Sequence, residues 1–299
     1  MAEAPQILNR NSRNTGLGQA RLKAESPDCI GTTSLRRRKM VAFTEEMVDV
    51  GGTKVHTLKG GSGEPLLLLH GAGGNNGWLR FADALAEKYT VYYPSHPGYG
   101  KSERPDWLET IPDMACFYTW YLETLGLEGI RAVGFSMGGW IASEIAAMCN
   151  HSFSKLMLVD TVGIKPNDSE ITDIFIISPA QVLDLLYHDP SQVPEYQALY
   201  GTDPTPEQLN QAETNREMAV RLCWKPYMHD PRLTNLLQRV KIPTRMVWGR
   251  NDQIVPLECG ELFKKAIKGS DLVVLDNCGH SPQVEKPEEF IKTALEFLA

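Results

Sequence analysis

From Met40 onward the chain switches repeatedly between two hydrophobic periods. The run "EEMVDVGGTKVHTL" alternates apolar and polar residues on either side of Gly51-Gly52, which predicts two strands joined by a two-residue hairpin turn. "PLLLLHG" is a short apolar stretch closed by glycine, the pattern of a buried parallel strand. "WLRFADALAEKY" spaces its apolar residues as a helix does, "TVYYPS" returns to strand character, and "MACFYTWYLETLGL" to helix. "RAVGFS", "GGWIASEIAAMC" and "KLMLVD" then read as strand, helix and strand. Strands alternating with helices imply an α/β fold: a parallel sheet covered on both faces by right-handed crossovers, with its site at the carboxyl ends of the strands.

This alternation stops near Gly163. Between residues 164 and 240, "ITDIFIISPAQVLDLLYHD" and "NREMAVRLCWKPYMHD" are helical in period, prolines such as Pro179 and Pro206 interrupt them, and no strand is legible. "TRMVWG", "LECGELFKKAIKG", "DLVVLDN" and "PEEFIKTALEFLA" then resume strand, helix, strand and helix. The predicted organisation is a core made of residues 40–163 and 241–299, interrupted by a helical insertion over 164–240.

Composition narrows the function classes. At 299 residues, 42% hydrophobic and 22% charged, the chain is long enough to bury a sizeable core. A net charge of -7 argues against a nucleic-acid or anionic-membrane partner, since both attract basic surfaces. No run approaches the roughly 18 apolar residues that span a bilayer, so no membrane span is expected and the chain reads as soluble. Six scattered cysteines without a C-x-x-C pair leave zinc and redox motifs unsupported, so neither metal nor cofactor is expected. Such thiols suit a reducing, cytoplasmic setting.

The first 39 residues differ: they hold eight Lys or Arg against three acidic residues and show no apolar period, so the remainder carries about -12. They lack the apolar core of a signal peptide, and Glu3, Glu25 and Asp28 stand against an organelle transit peptide. They read as a disordered extension, or as the product of a start codon upstream of a true start at Met40. A chain beginning at Met40 is therefore expected to match the full chain in melting temperature and activity. Calorimetry on both lengths checks this, and a large drop on truncation contradicts it.

The chemistry gathers where predicted strands end. In "VGFSMGGW", Ser136 lies where a strand gives way to a helix, flanked by Gly134 and Gly138. A serine on such a turn projects its hydroxyl above the sheet, and small neighbours let the turn form; this is a nucleophile elbow. The hydroxyl needs a base, and the base an orienting carboxylate. "DNCGHSPQVEKPEEF" supplies His280 after the last strand, and "WGRNDQIVP" supplies Asp252 after the penultimate one, with Asp160 as the rival acid. His56, His151, His188 and His229 read as structural or exposed. "HGAGGNNGW" follows the first parallel strand and offers an oxyanion hole: Ala72 N–H and Met137 N–H as donors, on a loop supported by His70, Gly71 and Gly73.

From Met40 to Ala299 these motifs resemble the α/β-hydrolase superfamily: "HGAG" at His70, "HPGYGKS" at His96, "GFSMG" at Gly134, "GRND" at Gly249 and "GHSPQVEKPEEF" at Gly279. The resemblance implies a mostly parallel eight-stranded sheet with helices on both faces, and a cap inserted after the sixth strand. It also implies a departure, because many relatives carry an acidic residue where Ser95 stands, in a loop near the family's site. Three activities fit: hydrolysis of a small-molecule carboxylic ester through an acyl-enzyme, hydrolysis of carbon-carbon bonds in ring-fission diketones, or noncatalytic ligand reception. Relatives with an aspartate nucleophile are disfavoured by Ser136. The apolar runs "DIFIIS", "VLDLLY" and "RLCW" favour a neutral acyl chain, whereas Lys165, Arg216, Arg221, Lys225, Arg232 and Arg239 offer a contact for an acid.

Overall fold

The computed structural model describes residues 41–299, and the extension expected over residues 1–39 lies outside them. The first half comprises β1 (Phe43–Val50), β2 (Thr53–Gly60), β3 (Glu64–Leu69), α1 (Arg80–Ala86), β4 (Tyr89–Pro94), α2 (Ile111–Thr124), β5 (Ile130–Phe135), α3 (Met137–Met148) and β6 (Phe153–Val159). Between β6 and the next strand lie α4 (Pro179–Leu186), α5 (Tyr196–Tyr200), α6 (Pro206–Cys223) and α7 (Leu233–Leu236). The chain then closes with β7 (Thr244–Gly249), α8 (Leu257–Ala266), β8 (Asp271–Leu275), α9 (Pro282–Glu285) and α10 (Pro287–Leu298).

The eight strands form one sheet in the order β1-β2-β4-β3-β5-β6-β7-β8. Its first two pairings are antiparallel and the other five parallel. The hairpin turn between β1 and β2 holds Gly51 at φ +57° and Gly52 at φ +90°, left-handed values that glycine adopts without steric cost. β3 lies between β4 and β5, and its four leucines, Leu66 to Leu69, are fully buried. Successive side chains on a strand face opposite ways, so Leu67 and Leu69 join the core under α2 and α3, while Leu66 and Leu68 join the core under α1 and α10. Each is worth roughly 1.5–3 kcal/mol over leaving it exposed. A continuous apolar run is therefore what a central strand with helices on both faces requires.

The helices between β6 and β7 start later than their periodicity predicts, because residues 171–178 are irregular and α4 opens only at Pro179. Local chemistry sets that boundary. Ser178 accepts from Gln181 N through its hydroxyl while the Gln181 side chain accepts from Ser178 N, and Thr205 and Gln208 repeat this capping box at α6. Pro179 and Pro206 occupy the first turn, where an N–H has no intrahelical partner to lose. Two prolines read as interruptions thus open helices. Cys116, Cys149, Cys223, Cys259 and Cys278 are free thiols. Among the described residues no helix is long and apolar enough to cross a membrane.

Candidate active site

β3 and β5 to β8 run parallel, so their carboxyl ends share one edge of the sheet. Just beyond that edge stand the glycine-rich loop after β3, Ser136 after β5, Asp160 after β6, Asp252 after β7 and His280 after β8. Ser136 has φ +50° and ψ -115°, a conformation rare for any residue with a side chain. The turn closes because its neighbours are glycines. A Cβ on Gly134 would lie 2.5 Å from Gly138 O, and one on Gly138 would lie 2.1 Å from Leu69 O. α3 begins at Met137, so its unpaired first N–H groups and positive dipole end adjoin the serine.

His280 and Asp252, far apart in sequence, are brought into contact. His280 Nδ1–H donates to Asp252 Oδ2 at 2.7 Å, and Asp252 Oδ1 accepts from Ile254 N at 2.8 Å and Val255 N at 2.9 Å. Both side chains are buried. With the proton on Nδ1, the lone pair of the neutral ring is on Nε2. Asp160 is close but placed differently: its Oδ1 accepts from Gly249 N at 2.9 Å, while its Oδ2 is buried with no hydrogen-bond partner among the described residues. Burial first, and then the charge of Asp252, push the Asp160 carboxyl well above the usual carboxylate range, so it favours its neutral form. One donor atom from each of Asp160, Asp252 and His280 falls within 4.8 Å of the others. An ion there would have to displace the hydrogen bond between Nδ1 and Oδ2.

The His280 loop is docked on the insertion. His280 N donates to Leu186 O at 2.8 Å, at the end of α4. Buried Glu285 accepts from Gly279 N at 2.6 Å through Oε2 and from Asp189 N at 2.9 Å through Oε1. Glu285 stands inside a motif already singled out, but nothing in its spacing marks it as buried.

The glycine-rich loop rests on a pair of imidazoles in close, tilted contact. His70 Nδ1–H donates to Gly71 O at 2.7 Å, and His70 Nε2 accepts from His96 N at 2.9 Å. His96 Nε2–H donates to His70 O at 2.9 Å, and Tyr118 O–H donates to His96 Nδ1 at 2.6 Å. The ring centroids are 3.7 Å apart. Burial lowers His70 to about 4 and drives His96 well below its usual value, so both are neutral braces with every ring nitrogen engaged. Their partnership with Tyr118 was not legible in sequence, although "HPGYGKS" pointed to that loop. Gly74 N donates to Gly71 O at 3.1 Å, which closes a turn with Ala72 and Gly73 at its centre. A Cβ on Gly71 would lie 3.2 Å from Ser136 Cβ, so the loop runs directly against the serine. Among the described residues the N–H groups of Ala72 and Met137 meet no acceptor.

Ser136, His280, Ala72 and the glycine-rich loop line a cavity of about 170 Å³, roofed by Ile171, Ile174, Val182, Leu186, Tyr187 and Tyr200 from the insertion. Ser95 does not line it; its hydroxyl approaches His56 Nδ1 at 3.4 Å instead. Residues 64–287 match the family model described as the alpha/beta hydrolase fold. The chain belongs to that family. This α/β-hydrolase is 31% identical over 283 residues to a 2-hydroxy-6-oxononadienedioate/2-hydroxy-6-oxononatrienedioate hydrolase of Paraburkholderia phymatum, covering 86% of this chain and 96% of the relative. The solved structure of an esterase from Exiguobacterium antarcticum superposes with a TM-score of 0.62 at 26% identity, over 87% of this chain and 99% of the esterase. A 2-hydroxy-6-oxo-6-phenylhexa-2,4-dienoate hydrolase from Rhodococcus sp. shares the fold, with a TM-score of 0.72 at 24% identity over 86% and 99% of the two chains.

Proposed function

We propose that this α/β-hydrolase cleaves small carboxylic esters through an acyl-enzyme on Ser136. The observation that carries the reading is the cavity lining: mostly apolar and tyrosine side chains surround Ser136 and His280, the further polar ones being the uncharged Asn76, Ser281 and Gln283 and the neutral His70, with no Lys, Arg, Asp or Glu among the described residues that line it. A neutral acyl chain gains from such walls, whereas a carboxylate would lose its hydration without a counter-charge. Two of the apolar runs supply the roof through Ile174, Val182, Leu186 and Tyr187, but "RLCW" does not, since Leu222 and Cys223 are buried in the core and Trp224 is exposed.

The steps follow from the geometry. Ser136 Oγ attacks the ester carbonyl as His280 Nε2 takes its proton, and Asp252 holds the resulting imidazolium through Nδ1–H. Ala72 N–H and Met137 N–H receive the oxyanion. His280 then returns the proton to the leaving alcohol, and water repeats the cycle on the acyl-enzyme. The neutral His70 is braced on both nitrogens and takes no part in proton transfer.

One observation favours carbon-carbon cleavage as the second reading. By their names, the Paraburkholderia and Rhodococcus hydrolases act on carboxylates. A cleft of about 190 Å³ shares Ala72, Gly73, Ile174 and Val182 with the cavity and includes Arg216, whose guanidinium donates to Phe175 O at 2.6 Å and Ile177 O at 3.3 Å but to no carboxylate among the described residues. Steady-state kinetics on p-nitrophenyl esters and ring-fission diketones separate the two readings. We expect the best ester to have the higher kcat/KM. A diketone turned over about a hundredfold better than any ester overturns the ester assignment, and binding without turnover of either class points to a receptor.

A further inference from the structure

Asn215 lies on α6 within the insertion and is buried, although the polar helix around it faces largely outward. Its Nδ2–H donates to Gly73 O at 3.0 Å, and its Oδ1 accepts from Gly100 N at 3.2 Å. One side-chain amide thus joins the insertion to the glycine-rich loop after β3 and to the loop after β4. The fit is close, since a Cβ on Gly74 would lie 2.3 Å from Asn215 Nδ2, at a residue whose φ of +102° already calls for glycine.

Asn75 ties the far end of the glycine-rich loop by donating Nδ2–H to Tyr93 O at 3.1 Å, but Gly73 is exposed, and a Cβ there would meet nothing within 4 Å among the described residues. The bond from Gly74 N to Gly71 O closes the turn and couples its two outer peptides, Gly71–Ala72 and Gly73–Gly74. A hydrogen bond on the Gly73 carbonyl orients the Gly73–Gly74 peptide, whose N–H is the one that holds Gly71 O. Gly71 O and Ala72 N–H belong to the same peptide, so this anchor sets where the Ala72 N–H points.

We infer that Asn215 is a positioning residue, reaching from the insertion to hold Ala72 N–H on the site where the oxyanion forms. The inference rests on the reading of Ala72 as an oxyanion donor. The insertion then does more than enclose substrate: α6 fixes the oxyanion loop on one side of Ser136, as α4 and Leu186 O fix the His280 loop on the other. An oxyanion donor moved by an ångström loses most of its value in the transition state and little in the ground state. The expected signature is therefore a loss in kcat with KM nearly unchanged.

The test compares the full-length wild type with Asn215→Asp and Asn215→Ala. Asn215→Asp preserves the shape and the acceptor for Gly100 N, but sets an oxygen against Gly73 O. It is close enough in size to serve if the alanine variant fails to fold. Steady-state kinetics on p-nitrophenyl butyrate should show kcat lower by about tenfold to a hundredfold, with KM within about threefold of wild type. The second-order rate of phosphonate labelling at Ser136 should fall by a similar factor, because that reaction also develops an anionic oxygen at the donors. Unchanged kcat and labelling rate, or a rise in KM alone, would mean that Asn215 only shapes the pocket, and the inference fails. If the wild type takes the phosphonate on Ser136 but cleaves no ester, the ester reading fails and the labelling rates still decide the role of Asn215. If Ser136 takes no label, both fall together.

Discussion

Ser136→Ala is expected to lower kcat/KM by more than about three orders of magnitude while leaving the melting temperature within a few degrees of wild type. The loss follows from removing the atom on which the acyl-enzyme forms; the oxyanion donors and the cavity would remain and support only a residual rate. The fold should survive because the Ser136 side chain makes no cap hydrogen bond to α3, and the backbone bonds at the turn, Ser136 N to Val159 O at 2.8 Å and Gly139 N to Ser136 O at 3.0 Å, persist with alanine. Alanine meets the same left-handed φ as serine, so the strain of the elbow is unchanged. A phosphonate should label the wild type once, at Ser136, and the variant not at all. Retained turnover in the variant, or an adduct on another residue, would remove Ser136 from the centre of the proposal.

The elements that hold the proposed site were legible because each is specified locally. A four-leucine run can be buried on both faces only in a central strand, and β3 is that strand. The G-x-S-x-G spacing encodes a close approach: Gly134 and Gly138 each stand where a Cβ would collide with backbone. Less was legible where partners come from afar. Tyr118 meets His96 across 22 residues and Asn215 meets Gly73 across 142, and neither pairing follows from a period or a motif. Glu285 looks like an ordinary acid in a polar segment, yet it is buried because two backbone N–H groups need it. In the insertion, periodicity over residues 171–178 suggested helix where the chain is irregular. The capping boxes at Ser178 and Thr205, readable as S-x-x-Q and T-x-x-Q ahead of apolar or helix-forming residues, were the better guide to where the helices begin.

Two aspartates stand near His280, and their substitution should separate them sharply. Asp252→Asn is expected to reduce kcat/KM by about three to four orders of magnitude, because the amide can no longer both accept from Nδ1–H and stabilise the imidazolium by charge. The two N–H donors at Ile254 and Val255 hold Oδ1, so the side chain stays in place and presents either an oxygen without charge or an NH2 group to the ring. Asp160→Asn should retain activity within about tenfold. Asp160 already favours a neutral form, and its bond to Gly249 N needs only a carbonyl oxygen, which asparagine supplies. The two variants should also differ in how stability depends on pH. A carboxyl whose folded pKa is raised holds its proton after the unfolded chain has released it, so it withdraws stability as pH climbs above the unfolded value of about 3.9. Asp160→Asn removes that titration, and its melting temperature should gain on wild type from pH 4 towards pH 8, while at pH 3.5 or below the gain vanishes. Thermal melts across that range, paired with kinetics at pH 8, check both halves. If Asp160→Asn proved the more damaging to turnover, the orienting acid would be Asp160, and the 2.7 Å contact between His280 and Asp252 would be a structural bond beside it.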